Sequence, residues 1–174
     1  HSAWCKRASI QVNLTHQIVI VCHITLAFEQ LVEGKMVIML DALQQNTTPF
    51  EYNCTGLELP SVKCTILARN IAYNHTLLSI DMCRKSFNDT DGQQLAKMLL
   101  TNKCLRKLEL EGNLLGPKSA IEFGEALKHN TTLKYLNLES NQLTVDGQEM
   151  YGIIQMFEFL QFNSSLLSLN MANN

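Results

Sequence analysis

Four short blocks along the chain read alike: LLSIDM from Leu77, LRKLEL from Leu105, LKYLNL from Leu133 and LLSLNM from Leu166. The first three start at even intervals, and the fourth follows after a slightly longer step. Alternate apolar positions in such a block point to one face of a strand, and their neighbours point to the other. A unit this short cannot enclose a core alone and buries its apolar face only by stacking on copies of itself. The spacing therefore predicts an α/β architecture, one strand and one helix per unit, with successive strands parallel and the helices outside.

Extending the same interval backwards from Leu77 reaches Pro49 and Val21, so units start near 21, 49, 77, 105, 133 and 166, the last one truncated. The repeat domain is expected over 21–174. Residues 1–20 do not fit the frame and are left as a capping segment, the end of an earlier repeat or an unrelated joint. In the Val21 unit, Met39 and Leu43 mark a helix that ends at Asn46. The Pro49 unit is poorer, with Tyr52 and Cys54 in place of strand leucines, but Leu57, Leu59, Leu67 and Ile71 keep the apolar face. In the Leu105 unit, Ala120, Phe123, Ala126 and Leu127 fall at i, i+3, i+6 and i+7, one side of a helix. Asn113, Asn141 and Asn174 follow the strands, where a buried amide can bond to turn backbone. Lys85, Leu57 and Glu29 take that place elsewhere, so this ladder is incomplete toward the N-terminus. The longer Leu133 unit carries GQEMYGIIQMFEFLQFN, expected as a helix whose bulky apolar groups serve either core packing and a following repeat or a docking patch on the convex side.

At 174 residues the chain suffices for one domain with its own core. A hydrophobic share of 46% and a charged share of 17% fit a soluble globular chain, and a formal net charge of −2 supplies no bulk attraction to nucleic acid or anionic membrane. A start at His1 and an end at Asn174 inside a repeat are read as signs of a fragment. The apolar run Ile18 to Phe28 is too short to cross a bilayer and includes His23 and Thr25, which predicts a buried strand and not a membrane span. The cysteines Cys5, Cys22, Cys54, Cys64, Cys83 and Cys104 show no CxxC pair and no metal-ligand spacing, which favours reduced thiols over three disulfides. The N-x-[ST] sequons fall at Asn13, Asn46, Asn53, Asn74, Asn88, Asn130 and Asn163. Those at 46, 74, 130 and 163 share one repeat position at the close of a helix, where an Asn in left-handed conformation would serve the turn, so they are poor evidence for glycosylation.

The stretch LRKLELEGNLLGPKSAIEFGEALKHNTTL resembles the ribonuclease-inhibitor-like class of leucine-rich repeats, whose pattern is LxxLxLxxNxLgxxgxxxlaeaLxxNttL. That resemblance runs over roughly Val21 to Asn174 and implies a leucine-rich repeat solenoid: a right-handed βα horseshoe, parallel strands on the concave face and helices outside. NTTLKYLNLESNQL also resembles the repeat domain of tropomodulin and leiomodin, regulators of the actin pointed end, and leucine-rich proteins of cilia and testis carry similar repeats. The class implies adaptors, inhibitors and regulators that bind through the concave face. The expected role is thus a non-catalytic interaction scaffold for a protein partner, with a tropomodulin-like capper or an enzyme inhibitor as the alternative. The expected setting is cytoplasmic, with cytoskeletal and ciliary sites as variants.

The frame sends Ser79, Asp81, Cys83, Arg106, Lys107, Glu109, Glu111, Lys134, Tyr135, Asn137 and Glu139 to the concave face. Stacking puts Asp81, Glu109 and Asn137 in one column and Cys83, Glu111 and Glu139 in the next. Arg106 and Lys107 then align with Lys134 and Tyr135. The partner-binding candidates are Asp81, Arg106, Lys107, Glu109, Glu111, Lys134, Tyr135, Asn137 and Glu139: an acidic centre, a basic flank and an aromatic anchor. No G-x-S-x-G, phosphate-binding glycine loop, HExxH or paired-cysteine motif occurs, and His23, His75 and His129 share no face, so neither catalysis, a cofactor nor a metal is expected. Trp4 and the tyrosines form no stacking platform for nucleic acid. Leu166 to Met171 would end the stack with an open strand edge and invite fraying or self-association.

Overall fold

A computed structural model describes residues 34–174. The chain divides into two compact units, His1–Val37 and Ile38–Asn174, and the strands and the helices from residue 51 onward lie in the second. The expectations for residues 1–20, the Ile18 to Phe28 strand, the strand of the Val21 unit, Asn13, Glu29, Cys5 and Cys22 fall outside the described residues, as does the expected domain limit between 20 and 21.

Strand and helix alternate throughout. Helix α1 occupies 34–45. It is followed by β1 (Glu51–Asn53), α2 (Ser61–Tyr73), β2 (Ser79–Asp81), α3 (Asp89–Thr101), β3 (Lys107–Glu109), α4 (Pro117–His129), β4 (Tyr135–Asn137), α5 (Tyr151–Leu160) and β5 (Ser168–Asn170). The strands form one parallel sheet in sequence order. Its register follows the repeat frame: Tyr52, Ile80, Leu108, Leu136 and Leu169 are successive partners. Between sheet and helices lies the core, where Ile80, Leu108 and Leu110 pack with Leu67, Ile71, Leu95, Leu99, Phe123 and Leu127, all fully buried. Leu169 is only half-buried, since nothing among the described residues stacks beyond β5.

The asparagines at 113, 141 and 174 form the ladder expected of them. Asn113 Nδ2 donates to the Met82 and Leu110 carbonyls, and its Oδ1 accepts from the Lys85 and Phe87 amides. Asn141 and Asn174 repeat this one unit on, with Asn174 Oδ1 accepting from the Leu143 amide. Lys85, standing where these asparagines stand, donates through Nζ to the Leu57 carbonyl at 2.9 Å.

A second ladder corrects the reading of the sequon position. Only Asn46 is left-handed there, at φ 54°. Asn74 and Asn130 are extended helix C-caps, with φ of −76° and −83°. Their side chains turn inward and tie units together. Asn130 Nδ2 donates to the Leu99 and Asn102 carbonyls of the unit before, while Oδ1 accepts from the Thr132 and Leu133 amides. Asn102, which lies in no sequon, bonds in the same way to Ile71, Asn74, Cys104 and Leu105. The amide, not the Ser or Thr two residues on, is thus the invariant part of this position in the chain.

The long unit departs from expectation in its helix. GQEMYGIIQMFEFLQFN forms a helix only over Tyr151–Leu160. Val145, Asp146 and Gly147 take positive φ of 49°, 55° and 80°, which breaks the path before Met150. The extra residues of this unit are spent in that turn on the outer side, and Leu136 still pairs with Leu169. Closely apposed backbones hold α4 to α5: a Cβ on Gly124 would lie 2.7 Å from Met156 Cα, and one on Gly152 would lie 2.8 Å from Pro117 Cα.

Candidate functional site

The sheet face turned away from the helices carries two rows of side chains set by strand pairing. One row runs Glu51, Ser79, Lys107, Tyr135, Ser168; the other runs Asn53, Asp81, Glu109, Asn137, Asn170. Asp81, Glu109 and Asn137 therefore stand side by side, and Lys107 faces Tyr135. A depression of about 610 Å³ opens over this face, bordered by Glu51, Asp81, Cys83, Lys107, Glu109 and Glu111.

Much of the charge is engaged locally. Lys107 Nζ lies 2.8 Å from Glu109, and Arg84 lies 3.1 Å from Glu111. Its hydrogen bond to the Glu109 carboxylate, with the charges of Glu109, Glu51 and Asp81 adding to it, holds the Lys107 ammonium above its ordinary range. Asp81 accepts from the Cys83 amide through Oδ1 and from Asn53 Nδ2 through Oδ2. Asn137 Oδ1 accepts from the Glu139 amide, and Glu139 accepts from Asn170 and Asn173. These bonds fix rotamers, so the acidic centre is presented at little further entropic cost. Tyr135 is 47% exposed and Arg106 is exposed, while Lys134 is half-buried at the strand entry. Burial, with a bond to Asp81, pushes the Cys83 thiol up to about 12, which makes it a poor nucleophile at neutral pH.

The rows bring together five of the nine candidates, Asp81, Lys107, Glu109, Tyr135 and Asn137, while Glu111 and Glu139 lie just after the strands and Arg106 and Lys134 just before them. Sequence reasoning missed Glu51, Asn53 and Arg84 at one end and Ser168 and Asn170 at the other. One repeat length before Ser79 and Asp81 lie Glu51 and Asn53, so the signal existed in the poorly matching Pro49 unit. Among the described residues no group of three or more His, Cys, Asp or Glu could hold a metal ion, and Cys54, Cys64, Cys83 and Cys104 are free thiols. No helix among them is long and apolar enough to cross a membrane.

A family model for the leucine-rich repeat matches residues 129–149, which span the Asn130 turn, β4 and the Asn141 turn. This is a leucine-rich repeat fold. Its ribonuclease-inhibitor-like character agrees with one strand and one full helix in each repeat. The chain is similar to solved leucine-rich repeat structures described as leiomodin-1 actin-binding site 2 (TM-score 0.64, 20% identity, 76% of each chain) and as the tropomodulin C-terminal domain of Caenorhabditis elegans (TM-score 0.67, 15% identity, 79% of this chain and 82% of that one). Those identities carry the fold alone. Protein NLRC5 of Mus musculus is 34% identical over 80 residues, 45% of this chain and 4% of that protein. Leucine-rich repeat-containing protein 45 of Gallus gallus is 33% identical over 94 residues, 53% of this chain and 14% of that protein. The chain thus spans a small part of the curated relatives it matches.

Proposed function

We propose that this leucine-rich repeat chain is a non-catalytic binding module whose concave strand face receives a protein partner. The observation that carries the proposal is the register of β2, β3 and β4, which assembles Asp81, Glu109 and Asn137 into one rigid column beside Tyr135. The partner would meet that column with basic or hydrogen-bond-donating side chains and pack an apolar group on the tyrosine ring. Arg106 and Lys134, at the opposite edge, set its orientation. Simultaneous replacement of Glu109, Glu111 and Tyr135 by alanine should abolish affinity capture of specific partners by the full-length protein while leaving its far-ultraviolet dichroism and urea midpoint close to wild type. Partners captured equally by the triple variant would remove the concave face from consideration.

A second reading is a cytoplasmic, cytoskeletal regulator, supported by the likeness to structures whose descriptions name actin-binding and tropomodulin domains. Purified actin is its probe. Slowed pointed-end elongation that the triple alanine variant relieves would support it, and elongation unchanged at saturating protein leaves the general scaffold.

A further inference from the structure

We propose that the outer groove between α2 and α3 is a second docking site, which takes a segment of a partner protein bearing acidic side chains around an apolar one. A depression of about 440 Å³ lies between these two helices. Its floor is apolar, with Ala68, Ala72 and Met98 buried beneath it. Arg69 on α2 and Lys97 on α3 stand exposed at its two sides, at the same position of successive repeats. Tyr73 borders the same space with a ring that is 72% exposed. Neither cation makes an ion pair or a side-chain hydrogen bond among the described residues. Helix α2 contains no acidic residue, and the acids of α3, Asp89 and Asp91, lie in its first turn, where they accept from backbone amides. Two like charges thus flank the groove with no carboxylate between them, and the potential there attracts an anion.

The groove one repeat further on, between α3 and α4, is lined differently. Advancing each position by one repeat puts Leu100 in the place of Ala72, Glu122 in the place of Gln94 and Glu125 in the place of Lys97. A bulky side chain there replaces the small floor residue, and a carboxylate replaces the second cation. The run of unpaired cations therefore ends after a single groove. It cannot follow a phosphate backbone, which needs cations in succession and aromatic platforms for the bases. A short acidic peptide suits it better. The planar fork of Arg69 can hold one carboxylate through two hydrogen bonds, and Lys97 can neutralise a second as a point charge. A leucine side chain between those carboxylates would cover the alanine floor and pack against the Tyr73 ring.

The test uses a short fluorophore-labelled peptide, two leucines flanked on both sides by glutamates, titrated against the whole chain by anisotropy at low salt. Saturable binding is expected. It should weaken by about tenfold or more in a variant carrying Arg69→Glu and Lys97→Glu, which sets like charges against the peptide. Ala72→Leu should weaken it by about tenfold as well, because the new side chain fills the floor that the peptide's leucine would cover. That leucine is one the repeat accommodates, since Leu100 holds the same position in the next unit, and the urea midpoint should stay close to wild type. Absence of saturable binding, binding unchanged in both variants, or equal binding of an all-glutamate peptide would overturn the inference. So would loss of binding only on alanine replacement of Glu109, Glu111 and Tyr135. Tighter binding of single-stranded DNA, with the same dependence on Arg69 and Lys97, would overturn it in favour of a nucleic-acid site. Failure here leaves the concave-face proposal standing, because none of its candidate residues borders this groove.

Discussion

Asn102 shows how much of this fold hangs on single amides. Fully buried, it donates to the Ile71 and Asn74 carbonyls and accepts from the Cys104 and Leu105 amides. Alanine there leaves several buried backbone groups without partners, and urea unfolding should show a loss of about 2–4 kcal/mol. Aspartate at the same position keeps the acceptor and loses the donor, so it should recover part of that loss at most. By contrast, Thr131→Ala, at an exposed member of a sequon, should change the midpoint by less than about 0.5 kcal/mol. The thiols make a second residue-level prediction. Burial pushes Cys54 and Cys64 from an ordinary 9.0 up to about 12, so both should resist alkylation at pH 8 while folded. Because the folded values are raised, the stability these thiols contribute is fully present below pH 9 and is lost as pH climbs toward 12. Denaturation midpoints should fall across that window, and fall less in a Cys54→Ala, Cys64→Ala variant after correction for its lower baseline.

The elements are joined by contacts that cross from one repeat to the next. Helix α4 is preceded by Gly116 at its N-cap, which has no side chain to cap it, and Asp89 of the preceding unit performs that task. Asp89 Oδ1 accepts from the Gly116 and Ser119 amides and the Ser119 hydroxyl. Replacing Asp89 by alanine should destabilise the fold by about 1–2 kcal/mol in urea titration, with the amide-exchange change centred on the first turn of α4. Gly124→Ala and Gly152→Ala should each cost about 1–3 kcal/mol, because the new methyl meets backbone that cannot rotate away. The strand and core parts of these elements were legible in the sequence: the i, i+3, i+6, i+7 spacing of Ala120, Phe123, Ala126 and Leu127 located α4, and each of those residues is buried. The start of α5 was not legible, since Gly147 to Met150 could equally supply the first turn of that helix, and only the left-handed backbone at Val145, Asp146 and Gly147 excludes them. The inward turn of Asn74 and Asn130 was equally hidden, because an asparagine at a helix end is compatible with either backbone conformation and only the neighbouring unit's carbonyls decide.

At the scale of the whole molecule, the sheet gives the chain a graded stability. β3 is flanked by β2 and β4, whereas among the described residues β5 is paired on one side only. Amide exchange should therefore be slow at Leu108 and Leu110 and markedly faster from Ser168 to Met171. Equal protection of the two strands in a monomer would contradict this. The placement of the concave residues could be read from sequence because strand register follows from leucine spacing. Which of them are free to bind could not, because the pairing of Lys107 with Glu109 and of Arg84 with Glu111 depends on side-chain reach across or along strands. The longer Leu133 unit adds a consequence for how such a chain can change. Its surplus residues lengthen only the outer arc, between Val145 and Met150, while the inner arc advances by one strand as in every other unit. The wall that faces solvent can therefore absorb insertions, tags or divergent loops without moving a single rung of the surface opposite, and the two sides are free to evolve on separate schedules.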